Sequence, residues 1–193
     1  RKESSAASDV YKRQTMCGFV GVFNHRPSSE TAAQEELIKQ MNEMIVHRGP
    51  DDDGYYHDEH VGFGFRRLSI IDVENGGQPL SYEDDSYWII FNGEIYNYIE
   101  LKDELISKGY EFKTDSDTEV LLATYRHYKQ EAASKLRGMF AFLIWDKKEQ
   151  LLYGARDPFG IKPLYFTKTD GHVYFASERK SLMAAVSYTH LRA

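Results

Sequence analysis

The chemistry most open to this sequence begins at a single sulfur. Cys17 is the only cysteine in 193 residues, and it directly follows Met16 at the head of an apolar run that ends at Phe23. A cysteine nucleophile needs a base and a site for the developing oxyanion. If Met16 is a start residue that is removed, Cys17 becomes residue one and carries a thiol and a free α-amine on one α-carbon. Such an amine has an ordinary pKa of about 7.7–8.0, near working pH, and can serve as the base. A Cys–His pair is the competing arrangement, but no context singles out one of the seven histidines. The bland account of Cys17 is a small buried residue in a core strand, which is where free cysteines commonly lie.

Three other groups carry matching chemistry. Asn92-Gly93 follows the apolar run Tyr87–Phe91. An Asn amide and a Gly backbone N–H can point together at an oxyanion, although an Asn-Gly pair on its own is more often a turn. Arg66-Arg67 interrupts an apolar region, where a guanidinium can clamp a carboxylate with two parallel hydrogen bonds or simply line an edge strand. Glu94 and Asp117 can hold an ammonium group, or act as turn and cap residues.

Other chemistries fit poorly. Gly62-Phe63-Gly64 lacks the third glycine of a dinucleotide loop and falls inside a strand. There is no Gly-x-Ser-x-Gly elbow. His57-Asp58-Glu59-His60 has metal-like spacing but reads as a charged loop, and Asp51-Asp52-Asp53 as a solvated turn. Asp115, Asp117 and Glu119 alternate like calcium ligands without the loop that should follow, and helix capping explains them. A net charge of -6 argues against nucleic acid. No apolar run approaches the roughly 18 residues of a membrane span, and no signal peptide is visible. One cysteine excludes an internal disulfide framework and fits a reducing, cytoplasmic setting.

The elements that must position these residues follow from periodicity. Cys17–Phe23 reads as a strand. Thr31–Gln34 fits a capping box, and Leu37, Ile38, Met41, Met44 and Ile45 recur at helical spacing. Val61, Phe63 and Phe65 alternate, with a further short strand expected around Leu68–Ile71. Tyr87–Phe91 reads as a buried strand ending in a tight turn at Asn92-Gly93-Glu94. Asn97 and Ser116 look like caps of two more helices, the first stopped at Gly109. Met139–Trp145, Leu151–Ala155, Leu164–Thr167 and Val173–Ala176 complete the strands. About three helices and seven or eight strands predict an α+β domain with two sheets packed face to face and helices outside. Fourteen tyrosines and eleven phenylalanines suit such an interior. Residues 1–15 read as a disordered leader. Together with the tail 186–193 they resemble peptide translated from sequencing adapters, which places the folded domain at 16–185.

Taken together, the motifs resemble those of class II glutamine amidotransferases with an N-terminal nucleophile, in particular the glutaminase domain of glutamine-dependent asparagine synthetases of the bacterial B type. Met16-Cys17-Gly18, His47-Arg48-Gly49-Pro50-Asp51, Arg67-Leu68-Ser69-Ile70-Ile71-Asp72, Asn92-Gly93-Glu94-Ile95-Tyr96-Asn97, Ser116-Asp117-Thr118-Glu119-Val120, Arg156–Tyr165 and Ala176-Ser177-Glu178 follow in family order. The resemblance implies a four-layer αββα sandwich of the N-terminal nucleophile hydrolase type. It implies that Cys17 attacks the side-chain amide of glutamine, that its α-amine moves the proton, and that Asn92 and Gly93 stabilise the oxyanion. Arg67 would bind the α-carboxylate of glutamine, Glu94 and Asp117 would face its α-ammonium, and the Leu68, Ile70 and Ile71 backbone would line the pocket.

The same resemblance implies no cofactor and no metal in this domain. ATP and magnesium would act in a C-terminal synthetase domain outside these 193 residues, which receives the ammonia. It implies a cytoplasmic enzyme for which a homodimer is one expected assembly, with the Arg156–Tyr165 segment facing the synthetase domain. Two other readings stay open. One is the glutaminase domain of another amidotransferase with a different acceptor. The other is a blocked glutamine-binding domain, because an amide nitrogen at Cys17 cannot act as the base.

Overall fold

The computed structural model describes residues 17–68, 77–169 and 171–192, the last six of these as backbone only. In chain order its elements are β1 (Gly18–Asn24), α1 (Thr31–Glu43), β2 (Asp52–His57), β3 (Val61–Arg67), β4 (Leu80–Tyr82), β5 (Tyr87–Ile95), α2 (Tyr98–Ser107), α3 (Asp117–Tyr128), α4 (Ala132–Lys135), β6 (Gly138–Asp146), β7 (Leu151–Arg156), β8 (Tyr165–Thr169), β9 (His172–Ala176) and α5 (Arg179–Arg192). Short 3-10 turns lie at Val46–Arg48 and Lys129–Glu131.

The strands form a five-stranded sheet ordered β2-β3-β1-β9-β8 and a four-stranded sheet ordered β4-β5-β6-β7. Every pairing between described strands is antiparallel. Side chains alternate across each strand, so each sheet has two apolar faces to cover. Val20 and Val22 of β1 pack with Leu37, Ile38 and Met41 of α1 and Leu182 and Ala185 of α5. Phe19 of β1 turns the other way and joins Phe63 and Phe65 of β3 with Ile90, Ala141 and Leu143 of the second sheet. Ile89 and Phe91 of β5 and Phe140, Phe142 and Ile144 of β6 meet Val120, Leu121 and Tyr125 of α3. Three cores between four layers give the expected αββα sandwich. Phe19, Phe63 and Phe65 are at most 2% exposed, and burying each contributes about 1.5–3 kcal/mol.

Several local expectations change. Asn92-Gly93-Glu94 is not a turn: β5 continues to Ile95, and these residues pair with Met139–Ala141 of β6. A Cβ on Gly93 would lie 2.2 Å from the Met139 carbonyl oxygen, so glycine here serves close cross-strand contact. The acidic run is not a solvated turn either. Asp52 and Asp53 open the edge strand β2, paired with Arg67 and Arg66, and Asp53 Oδ2 lies 3.5 Å from Arg66 Nη1.

The capping box at Thr31 is absent. Glu30 precedes α1 without a side-chain cap, and the buried Gln34 side chain instead accepts from Asn24 Nδ2. Asn97 flanks α2 without capping it; its amide donates to Lys135 O and accepts from Arg137 N. Ser116 does cap α3, accepting from Glu119 N at 3.2 Å. The helix α5 was not foreseen and runs on through residues set aside as tail. The expected strand at Leu68–Ile71 is not extended by Leu68, and Ile70 and Ile71 lie outside the described residues.

Candidate active site

Strand parity assembles the site. Cys17 shares the parity of Phe19, Arg67 that of Phe65, and Asn92 that of Ile90; all three reference residues face the gap between the sheets. Gly18 pairs with Arg66 across β1 and β3, so Cys17 and Arg67 stand at one end of that gap. Cys17 itself packs against the inter-sheet core. Arg66 has the opposite parity and leaves the gap. Its Nε donates to Asn42 O of α1 at 3.3 Å. The sequence left two arginines open, and the pleat separates them: Arg67 is the one buried toward Cys17, at 8% exposed.

Cys17 is held from two directions. Leu68 N donates to Cys17 Sγ at 3.4 Å, and Leu68 O lies 3.9 Å from the same sulfur. The Cys17 carbonyl accepts from Arg48 Nε at 3.3 Å, and Arg48 Nη1 is itself held by Glu178 Oε1 at 3.1 Å. His47 Nε2 meets that same Glu178 oxygen at 2.8 Å, and Lys180 lies 3.3 Å from the carboxylate. Burial pushes the Glu178 carboxyl up, but the bonds from His47, Arg48 and Lys180 outweigh it and leave it below its ordinary range. Ser177 closes the support, giving N–H to Phe19 O at 2.9 Å and accepting Phe19 N–H on its hydroxyl at 3.0 Å.

Asn92 is 1% exposed, and its Nδ2 has no hydrogen-bond partner among the described residues. A buried donor left unpaired costs about 1–3 kcal/mol, so an oxygen acceptor brought to this amide would be bound favourably. The backbone of β5 adds a second one. Phe91 N–H and C=O are both taken by the Gln78 side chain, and Ile95 N–H by Asp117 Oδ2 at 3.0 Å. Alternation along the strand turns the Gly93 N–H to that same edge, away from β6.

Glu94 is exposed, and Asp117 half-buried. Burial raises the Asp117 carboxyl, the Ile95 N–H opposes that, and the Glu94 charge raises it further. The two carboxyl groups stand together at the end of β5, where a neighbouring ammonium would relieve that repulsion. The metal-like histidines do not converge. His57 reaches toward Glu35 at 3.7 Å, while His60 is buried against Asn24 O and the Trp145 ring. Among the described residues no three His, Cys, Asp or Glu side chains gather as a cation cage.

Sequence reasoning passed over Arg48, Glu178 and Lys162 as site residues. Each lies in a quoted motif, but nothing in its spacing distinguishes a buried charge from a solvated one. Lys162, between Ile161 and Pro163, is 1% exposed.

A cysteine heading a central strand thus shares one face of the gap between two sheets with an arginine and an amide. The chain belongs to the glutamine amidotransferase domain family, whose sequence model matches residues 16–191. It is 82% identical over 170 residues to a glutamine-hydrolysing asparagine synthetase of Bacillus subtilis, covering 88% of this chain and 27% of that protein. It is 39% identical over 162 residues to the amidase chyE of Penicillium rubens, covering 83% of this chain and 24% of that one. The chain thus spans about a quarter of the length of these relatives. Among solved structures, a glutamine phosphoribosylpyrophosphate amidotransferase of B. subtilis shares the fold at a TM-score of 0.69 and 22% identity, covering 87% of this chain and 43% of that one.

Proposed function

We propose that this domain, once Cys17 is its first residue, hydrolyses the side-chain amide of glutamine to glutamate and ammonia. The observation that carries this is the buried Asn92 Nδ2, without a hydrogen-bond partner among the described residues, on the face that also bears Cys17. The thiol attacks the amide carbon while the Cys17 α-amine takes the thiol proton. The tetrahedral oxyanion accepts from Asn92 Nδ2 and the Gly93 N–H. The ammonium formed at the amine returns the proton to the leaving nitrogen, the C–N bond breaks, and ammonia leaves a thioester on Cys17. Water attacks that thioester, and glutamate departs as the thiol reforms.

Arg67 binds the substrate α-carboxylate, Glu94 and Asp117 face its α-ammonium, and the backbone around Leu68, continuing to Ile70 and Ile71, lines the pocket. Residues 16–185 make up this functional unit. The direct test is ammonia and glutamate release by the chain beginning at Cys17, beside Cys17→Ala. Equal release by both would remove the cysteine from the mechanism.

We extend the reading to a longer, cytoplasmic protein in which the ammonia is passed to a synthetase domain that amidates aspartate. ATP and magnesium would belong to that domain; the present sequence has no glycine-rich pyrophosphate loop to hold them. The high identity to the B. subtilis enzyme supports aspartate as acceptor. The likeness to a protein named an amidase supports a different acceptor chemistry on the same glutaminase domain. A rigid apolar knuckle, with Phe159 at 88% and Ile161 at 57% exposed, supports a docking side near the Arg156–Tyr165 segment. Ammonia-dependent amide formation by the longer protein, compared across acceptor acids, separates the two.

A further inference from the structure

The carboxylate of Glu178 has no part in the hydrolysis above, yet the main chain of the nucleophile is tied to it. Glu178 lies in the corner between β9 and α5. Its Oε1 accepts from Arg48 Nη1 at 3.1 Å and meets His47 Nε2 at 2.8 Å, while Oε2 lies 3.3 Å from Lys180 Nζ. Both oxygens are engaged, so the carboxylate is fixed in place. Arg48 ends the short turn after α1, where its backbone N–H donates to Ile45 O at 2.9 Å. Its side chain runs across the start of β1. A Cβ on Gly18 would stand 2.8 Å from Arg48 Cδ, so glycine leaves room for that path. At the far end Arg48 Nε donates to Cys17 O at 3.3 Å. Ser177, next to Glu178, holds Phe19 by both its N–H and its C=O.

An ion pair that is free in water contributes little. This one is largely withdrawn from it: the Arg48 side chain is 14% exposed and that of Glu178 25%. A guanidinium so placed is costly once its carboxylate is taken away. It then turns toward solvent and releases the Cys17 carbonyl. That carbonyl matters because a first residue has no preceding chain to hold it, and chain ends fray unless they are tied down. Among the described residues, Arg48 Nε fixes the peptide plane between Cys17 and Gly18, and Leu68 N holds the sulfur at 3.4 Å. The α-carbon of Cys17 lies between these two anchors. The direction of an amine on that carbon therefore depends on both.

We propose that Glu178 is a positioning residue of the Cys17 site, holding Arg48 on the Cys17 carbonyl so that the thiol and the α-amine of a first-residue cysteine stay aligned for attack. Its effect on turnover rests on the glutaminase reading; its hold on Arg48 does not. Turnover is measured in the chain beginning at Cys17, as wild type, Glu178→Ala, Arg48→Ala and the double variant. Solvent exchange of the Arg48 Nε proton is followed by NMR in the 193-residue chain, as wild type and Glu178→Ala.

Glu178→Ala lowers kcat for glutamine about tenfold, as a small misplacement of reacting groups does. KM stays within about twofold, because the substrate contacts lie elsewhere. The double variant is no slower than Arg48→Ala, since the carboxylate acts through that guanidinium. The Arg48 Nε proton exchanges about tenfold faster without Glu178. A folded Glu178→Ala chain with the wild-type kcat overturns the proposal. So do losses that multiply in the double variant, which place the effect outside Arg48, and a rise in KM without a fall in kcat. If circular dichroism shows the Ala variant unfolded, Glu178→Gln, which keeps the shape and drops the charge, carries the same comparison. A wild-type chain that releases no ammonia counts against the glutaminase reading alone. Faster exchange of the Arg48 proton then upholds the role of Glu178, and unchanged exchange overturns it.

Discussion

The gap between the two sheets is built from the same strands along its whole length, yet its ends differ. At one end Tyr56 stacks on Trp88 with ring centroids 4.0 Å apart. Asp58 Oδ2 accepts from both Trp145 Nε1 at 2.8 Å and Tyr56 OH at 2.7 Å, and Phe23 and His60 close on the Trp145 ring. At the other end the same face carries Cys17, Arg67 and Asn92. Each end leaves one buried donor without an acceptor among the described residues, Trp88 Nε1 and Asn92 Nδ2, but only the second shares its end of the gap with a thiol. Strand parity chooses the face, and residue type decides whether an end is sealed or reactive.

Substitutions at the two ends should therefore separate stability from turnover. The largest effect is expected at the sealed end. Trp145→Ala should lower unfolding free energy by about 3–5 kcal/mol in denaturant melts, while the remaining folded molecules keep their kcat. A fall in kcat at full folding would mean that the ends are coupled. Asn92→Ala at the open end should do the reverse, cutting kcat for glutamine by about 10²–10³ with KM and melting temperature nearly unchanged. A large loss of stability instead would make Asn92 a structural amide.

Arg67→Lys keeps the charge but loses the planar fork. It should raise KM by about tenfold or more, with less effect on kcat, because the contact is the same in ground and transition states. A selective loss of kcat would contradict that assignment. The smallest effect is expected in the loop over the open end. Burial pushes the Asp157 carboxyl up, but four backbone N–H donors outweigh it and leave it below the ordinary range. A depressed carboxyl stabilises the fold above the unfolded-state pKa of about 3.9, and that contribution fades as pH falls through the lower folded value. Asp157→Asn should thus cost about 1.5 kcal/mol at neutral pH, with the difference from wild type shrinking in acid. A difference that does not change with pH would point to packing, not charge.

The layered fold was legible because the alternation of Phe19, Val20 and Val22, and of Ile89, Ile90 and Phe91, assigns each side chain to one core or another. The separation of Arg66 from Arg67 follows from the same pleat, once the strand is known to extend that far. The turn expected at Asn92-Gly93 went wrong because glycine marks both turns and close cross-strand contact, and only the position of Met139 distinguishes them. The edge strand β2 was hidden because its acidic residues are matched by Arg66 across the ladder, a partner invisible to local pattern. Arg48, Glu178 and Lys162 were unreadable as site residues for a related reason: their burial is created by loops that meet from distant parts of the chain.

The central claim is that Cys17 works with its own α-amine at the open end of the gap. It is tested most directly by comparing glutamine-dependent ammonia release from the 193-residue chain with that from the same chain beginning at Cys17, each confirmed by intact mass. The account predicts hydrolysis by the chain beginning at Cys17 and none by the longer one, where an amide nitrogen replaces the amine. Equal rates from both would contradict it and transfer the role of base to another group, such as a histidine.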